Sequence, residues 1–193
     1  MKKIAIAAAC LALAAPQVFA QARSFEGFSL SANLESTKST VDALSVSDSG
    51  NSTGLGLQAQ YTFAITDQFV LGVGATLGTV KRNTASASGL GADAYTKDNT
   101  SFDLTPGIAV TDSTVIFGKI SALGGTLQVD SAPSASYSLT GLGYGVGIKS
   151  MIDKNLFWQL VYDSNKYNDV TTTGGTTLSN KSTIFSLGVG YKF

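Results

Sequence analysis

The residues that could carry chemistry in this chain are limited in kind, and that limit excludes several reaction classes. The 193-residue sequence contains thirteen Asp or Glu, thirteen Lys or Arg, one Cys and no His. Without an imidazole, a serine lacks its usual general base and an imidazole-ligated metal site cannot form. Carboxylate pairs remain, such as Asp42 with Asp48 and Asp93 with Asp98, but they lie in polar stretches typical of solvated loops. We therefore expect no enzymatic activity, no catalytic residue, no cofactor and no metal.

Six charged residues stand out because they lie in or beside segments that are otherwise apolar or small. They are Glu35, Asp103, Asp163, Lys119, Lys149 and Lys192. Charges that are withdrawn from water need partners, and here three acids face three lysines. We predict that they form a neutralised network of ion pairs and hydrogen bonds inside the protein. The alternative interpretation is a selectivity filter that lines a pore.

The elements that must position these charges are strands, because apolar residues recur at every second position. The alternation appears in eight segments, at residues 27–34, 54–63, 69–78, 100–110, 114–122, 141–149, 156–163 and 185–193. Period-two alternation over about ten residues is typical of a strand with two different faces. In the fifth segment we place Ile116 and Ile120 on the apolar face and Phe117 and Lys119 on the other. Pro106 lacks a ladder donor, so we expect a bulge or local irregularity there.

The connections between these segments alternate in length. Residues 64–68, 111–113 and 150–155 form short connections, whereas long polar gaps occur at about residues 35–52, 80–99, 123–139 and 164–181. Short turns at one rim and long loops at the other are typical of an up-and-down barrel in an outer membrane, with the long loops outside. Six aromatic residues fall near the short-turn rim, where an interfacial girdle belongs: Tyr61, Phe63, Phe69, Trp158, Tyr191 and Phe193.

The chemistry of the two faces decides between a membrane barrel and a soluble one. One face is almost purely apolar, while the other consists mainly of Gly, Ser, Thr and Gln with an occasional charge. A soluble small barrel or sandwich would bury its apolar face and turn the polar face to water. We predict an all-β, eight-stranded antiparallel transmembrane β-barrel with a polar, largely plugged lumen. The glycines at alternate positions from Gly141 to Gly147 would make room for bulky neighbours; a water-filled passage is the alternative.

The first twenty residues read as a cleaved signal peptide, which leaves residues 21–193 as the barrel domain. Lys2 and Lys3 precede an apolar run, and the small-residue pattern that ends at Ala20 fits a cleavage site. Cys10 would allow a lipoprotein signal, but the residues before it match poorly the sequence that precedes the lipidated Cys in such signals. Without Lys2 and Lys3, eleven basic side chains stand against thirteen acidic ones, with no basic cluster, so we expect no nucleic-acid partner.

The mature chain resembles the small outer-membrane barrels of the opacity-protein, OmpA and OmpX kind, some of which carry a porin-family label. The motifs that carry the resemblance are residues 141–147, 160–162 and the ending at 185–193. In that family the terminal aromatic residue, with apolar residues at every second position before it, is recognised by the outer-membrane assembly machinery. The resemblance implies that role for Phe185, Leu187, Val189, Tyr191 and Phe193. The same residues also suit plain contact with lipid.

Three functions remain after these exclusions, and the first two stay open. The first is a structural or surface-interaction protein of the cell outer membrane of a Gram-negative bacterium, with adhesion or envelope integrity as its effect. The second is a narrow porin-like channel for small solutes, and the third, an enzyme, is disfavoured above. The expected partners are outer-membrane lipids, the assembly machinery and an extracellular ligand bound by the loops, with the barrel itself a monomer.

Overall fold

The strands of the barrel are longer than the apolar segments that define them. The structure, a computed structural model, describes residues 22–43, 46–79, 82–85, 93–130, 135–171 and 177–193. After a short 3₁₀ helix, Ala22–Phe25, the strands are β1 Gly27–Ala43, β2 Val46–Ala64, β3 Phe69–Gly78, β4 Arg82–Ala85, β5 Asp93–Thr111, β6 Thr114–Asp130, β7 Ala135–Met151, β8 Leu156–Tyr167, β9 Val170–Thr171 and β10 Thr177–Lys192. The predicted signal peptide lies outside the described residues.

The sheet closes on itself, which confirms the barrel. Within the described ranges each long strand pairs antiparallel with the next, in the order β1, β2, β3, β5, β6, β7, β8, β10. β10 then pairs with β1, from Ser29 opposite Lys192 to Ala43 opposite Leu178. The short strand β4 pairs with β5 beyond the end of β3, and β9 pairs with β10 beyond the end of β8. Eight long strands therefore form a closed wall, which has no free edge among the residues that the structure describes.

The two faces of the wall have the orientation that the alternation predicts. Leu30 and Leu34 are 46% and 55% exposed, whereas Ser31 and Asn33 between them are 8% and 4% exposed. The same alternation places Ile116 outside and Phe117 inside on β6. Lipid can solvate the apolar outer face, and closure satisfies the backbone hydrogen bonds that lipid cannot. The polar side chains consequently fill the lumen.

The long gaps predicted as loops are mostly strand, and this part of the prediction is wrong. β1 continues to Ala43 and β2 resumes at Val46, so the gap at 35–52 is largely a hairpin. The gap at 123–139 is likewise strand as far as Asp130 and again from Ala135. A transmembrane strand needs only about 9–11 residues, whereas β1 has 17 and β2 has 19. Outside the bilayer both faces meet water, so the ladder continues while its apolar alternation stops.

The prediction of a bulge or local irregularity at Pro106 is confirmed only in its second form: no bulge occurs there, but the pairing of β5 with β6 is interrupted at Thr105 and Pro106. Leu104 pairs with Ile120 and Gly107 with Phe117, so the register on the two sides of the proline is the same. The register between β5 and β6 shifts elsewhere, between Lys97 and Thr100 and again near Thr111. Asp98 in the first of these bulges has a positive φ of 54°, a conformation that Asp tolerates better than most residues. Pro106 faces outward and keeps its pairing with Leu71 on β3, while the gap on the β6 side leaves the register unchanged.

Two aromatic belts bound the apolar band of the outer wall. Near the short turns, the rings of Tyr61 and Phe63 lie 4.7 Å apart, and those of Phe28 and Phe193 lie 5.9 Å apart. The upper belt was not predicted from the sequence and contains Phe102, Tyr144, Tyr162 and Phe185, all exposed on the outer face. Tyr162 and Phe185 are cross-strand partners. Apart from Leu77 and Leu142, which lie just above the belt, the outward residues farther out are mostly small or polar, so this belt marks the outer edge of the membrane-embedded wall.

Candidate functional site

The outer half of the lumen contains an ion-pair cluster centred on Lys119. The Lys119 Nζ lies 3.2 Å from the Asp163 Oδ2 and 3.7 Å from the Asp103 Oδ1. Lys119 sits diagonally across the β5–β6 hairpin from Asp103, which pairs with Ser121. The hydroxyls of Ser101, Ser121 and Thr76 donate to the Asp103 carboxylate at 2.8, 2.7 and 2.6 Å. The cluster therefore satisfies a buried carboxylate with one cation and three hydroxyl groups.

A small polar cavity of about 40 Å³ adjoins this cluster. Its wall includes Glu35, Lys119, Asp163 and Asn99. Glu35 and Asn99 are 6% and 5% exposed, and neither side-chain amide atom of Asn99 has a hydrogen-bond partner within the described residues. The cavity has room for about three water molecules.

The structure does not bring the other two predicted lysines into this cluster. The Lys149 Nζ donates to the Gln60 Oε1 at 3.0 Å and lies 4.7 Å from the centre of the Phe157 ring. The Lys192 Nζ donates to the Ser24 carbonyl oxygen at 2.8 Å, at the short-turn rim. The alternation placed these residues on the correct face, but it says nothing about their height in the barrel. Four of the six charges therefore lie together, and two lie apart with other partners.

The side chain of Gln159 bridges the middle of the lumen, beside the hydrogen bond that joins Lys149 to Gln60. The Gln159 side chain is 2% exposed, and its Nε2 donates to the Asn33 Oδ1 at 2.7 Å. The same nitrogen lies 3.0 Å from the Gln58 Oε1 and 3.2 Å from the Ser31 Oγ. Gln159 thus reaches from β8 past β10 to β1 and β2. A bridge of this kind fixes the two sides of the lumen to each other.

An apolar plug closes the end of the lumen at the short turns. We use this name for seven buried residues that pack together: Ala22, Phe25, Val70, Ala109, Val115, Phe117 and Val161. Two of them come from the segment before β1, and the Ala22 N–H donates to the Asp67 carbonyl oxygen at 2.9 Å. The plug was not predicted from the sequence, although the inward positions of Val70, Val115 and Val161 were a usable indication of it.

The inward glycines make room for large neighbours, as the stripe on β7 predicts. A Cβ atom on Gly147 would collide with the Phe117 ring, and one on Gly145 would collide with the Asp163 carboxylate. On β10, Gly190 leaves the same kind of space for the Phe157 ring, which is 1% exposed. The glycines therefore let rings and carboxylates occupy the lumen. They do not leave an open passage along the stripe.

The five residues proposed as an assembly signal all face outward along β10 and its end. Phe185, Leu187, Val189, Tyr191 and Phe193 are between 45% and 68% exposed. The Phe193 N–H donates to the Phe28 carbonyl oxygen at 2.9 Å, which joins the chain end to β1. This geometry suits both recognition and lipid contact, so the assembly role stays a prediction.

The described residues contain no group of three or more His, Cys, Asp or Glu placed to hold a metal ion. Of the carboxylate pairs considered from the sequence, the side chains of Asp42, Asp48 and Asp93 lie outside the description, and Asp98 is exposed. Within the same ranges no helix is both long and apolar enough to cross a membrane.

A family model described as "outer membrane protein beta-barrel domain" matches residues 5–193. The chain belongs to the outer-membrane β-barrel domain family. This membership, together with the closed eight-stranded wall, assigns the barrel to the outer membrane of a Gram-negative bacterium, in contact with its lipids. A search of curated protein sequences gave no match.

Solved structures with the same fold include two small surface barrels. Ail, the attachment invasion locus protein of Yersinia pestis, is 21% identical with a TM-score of 0.58, and the match covers 87% of this chain and 99% of Ail. Neisserial surface protein A is 16% identical with a TM-score of 0.58, and the match covers 87% of this chain and 98% of that protein. At these identities the likeness establishes the fold alone.

Proposed function

We propose that this outer-membrane barrel is non-conducting and non-enzymatic, and that its role is structural or one of surface interaction. The observation that carries the proposal is the filling of the lumen. The apolar plug occupies the short-turn end, Gln159 bridges the middle, and Lys119 with its carboxylates occupies the outer half. Eight strands enclose an interior that side chains can fill. The absence of histidine from the sequence argues against the usual acid–base chemistry.

The part of the molecule available for a surface role is the wall above the upper aromatic belt. There β1, β2, β5, β6 and β7 extend well beyond the length that a membrane needs. Ail is named for attachment and invasion, and one of its structures contains the heparin analogue sucrose octasulfate. We take from Ail only attachment as a kind of surface role; a contribution to envelope integrity is proposed from the filled lumen of this chain alone.

Conductance of the purified protein tests the proposal directly. Folded protein in planar lipid bilayers should give no stepwise current, whereas a general porin reconstituted in the same way should. The filled lumen is the reason for this expectation. Stepwise currents from the wild-type protein would overturn the proposal and support the narrow channel.

A cellular comparison separates the same two functions. A strain that lacks the protein should become more sensitive to detergents while its uptake of small solutes stays unchanged. The opposite pattern, with slower uptake and an intact permeability barrier, would favour the channel. Wild-type protein supplied from a plasmid should reverse whichever defect is found.

A further inference from the structure

Lys149 is a buried cation of the lumen that no carboxylate of the described residues neutralises. Its side chain is 8% exposed. The Nζ donates a hydrogen bond to the Gln60 Oε1 and lies 4.7 Å from the centre of the Phe157 ring, and both of these partners are neutral. The ion pairs described above belong to Lys119 instead. A buried charge without a counter-charge destabilises the folded state, so an anion beside Lys149 would stabilise it.

The carboxylates of the lumen lie too far along the wall to be that counter-charge. Gln159 on β8 is the cross-strand partner of Lys149. Asp163 lies farther along β8 than Gln159 by roughly 13 Å, at about 3.3 Å per residue. Glu35 and Asp163 both line the upper cavity beside Lys119. An anion that meets Lys149 would therefore come from solution.

A second cavity, of about 20 Å³, adjoins Lys149 between the apolar plug and the Gln159 bridge. Its other polar lining residues are Gln60, Thr62 and Thr105, which are between 4% and 6% exposed. The remaining lining consists of Gly72 and apolar side chains, all of the latter from the plug. The volume is sufficient for one particle about the size of a water molecule. The cavity therefore has room for a single small ion.

The polar groups around this cavity are suited to donate hydrogen bonds. The Gln60 Nε2 donates to the Thr105 Oγ1, which leaves the hydroxyl proton of Thr105 for another acceptor. The Gln60 Oε1 already accepts from the Lys149 Nζ, which has three N–H groups. Within the described part of the chain no Asp or Glu lines the cavity. A lining with N–H and O–H donors and a positive charge favours an anion over a cation.

We propose that this cavity binds a chloride ion, with the Lys149 ammonium group as its counter-charge. The volume excludes sulfate, phosphate and carboxylic acids. The apolar side chains of the plug disfavour fluoride, because the smaller ion holds its hydration shell more strongly. The proposal goes beyond the structural or surface role, and it requires no conduction, because the ion stays bound inside a filled lumen.

Urea unfolding in lipid vesicles tests the site when sodium gluconate is replaced by sodium chloride at constant ionic strength. A ligand that binds only the folded state lowers the unfolding constant. We expect saturating chloride to lower this constant for the wild type by about fivefold or more. Lys149→Gln should abolish the effect, because it keeps a polar group of similar length without the charge. The control Lys154→Gln neutralises an exposed lysine in a short turn and should respond like the wild type.

Two further measurements separate a bound ion from a general salt effect. Thr62→Val removes one hydroxyl group from the lining while it keeps Lys149, and it should reduce the chloride effect severalfold. Crystals of the wild type grown in sodium bromide should show an anomalous scattering peak in contact with the Lys149 Nζ, and crystals of Lys149→Gln should not. The proposal is overturned if the wild type shows no such peak, or if Lys149→Gln retains the full response to chloride. Equal unfolding constants of the wild type in chloride and gluconate would also overturn it.

Discussion

At the scale of single residues, Lys119 forms ion pairs with two buried carboxylates in the lumen, those of Asp103 and Asp163. We expect Lys119→Met to lower the free energy of unfolding by about 3–5 kcal/mol, because removal of one partner leaves the others buried and uncompensated. Urea unfolding in lipid vesicles measures this. The triple variant K119M/D103N/D163N should recover much of the lost free energy of unfolding, because it removes the two carboxylate charges as well. If Lys119→Met and the exposed control Lys154→Met unfold at the same urea concentration, the ion pairs contribute nothing.

A second prediction at this scale concerns the two faces of β3. Val73 lies midway along the strand on the outer face and is 49% exposed, while Thr76 points into the polar cavity and donates to Asp103. Val73→Arg should therefore cost roughly 2–4 kcal/mol near the bilayer midplane. Thr76→Arg should cost less, because its charge lies beside a carboxylate. Urea midpoints for the two variants make the comparison, and equal values would mean that the faces are assigned the wrong way round.

At the scale of elements, the sequence predicts well which face of a strand a residue lies on, but it predicts poorly how far along the barrel axis that residue lies. The period-two pattern identifies the eight transmembrane segments, and parity places Lys119 and Lys149 inside, because lipid tolerates few polar side chains. The even or odd position of a residue in a strand does not tell how far along the barrel axis its side chain lies. The pattern therefore could not show that Lys149 and Lys192 lie apart from the cluster around Lys119. The alternation of apolar and polar residues also ends above the membrane. There a strand such as β1 continues from Ser36 to Thr40 with polar residues on both faces. The apolar plug escaped prediction because Ala22 and Phe25 precede the first alternating segment.

The last strand carries its own prediction, which tests the proposed assembly role of Phe193. This residue is 68% exposed and packs on Tyr191 and Phe28 with ring centres 5.0 and 5.9 Å apart. Deletion of Phe193 should reduce surface abundance in cells severalfold but change the folded yield in synthetic liposomes only slightly, since one lipid contact contributes at most about 1.5–3 kcal/mol. Quantitative surface labelling and liposome refolding make the comparison. Normal surface abundance of the deletion variant would leave Phe193 as a lipid contact without an assembly role.

At the scale of the whole molecule, closure between β1 and β10 should make the fold resistant to detergent. Fifteen residue pairs join these two strands, and a closed ladder offers no edge from which unfolding can begin. We expect the unboiled protein to migrate differently from the boiled protein on a denaturing gel. Circular dichroism of the unboiled sample should show β-structure. Identical migration of both samples would argue against a stable barrel in detergent.

The same closure continues above the lipid, where water surrounds the outside of the wall. Lys38 pairs with Thr183 on one side and with Asn51 on the other, and the inward Thr37 and Ser39 are each 3% exposed. Backbone amides from 36 to 40 should therefore exchange their hydrogens with solvent slowly, which exchange mass spectrometry in nanodiscs can measure; rapid exchange there would show that the upper wall opens. Slow exchange means that an external partner meets a surface already in its final shape and loses little entropy in ordering it.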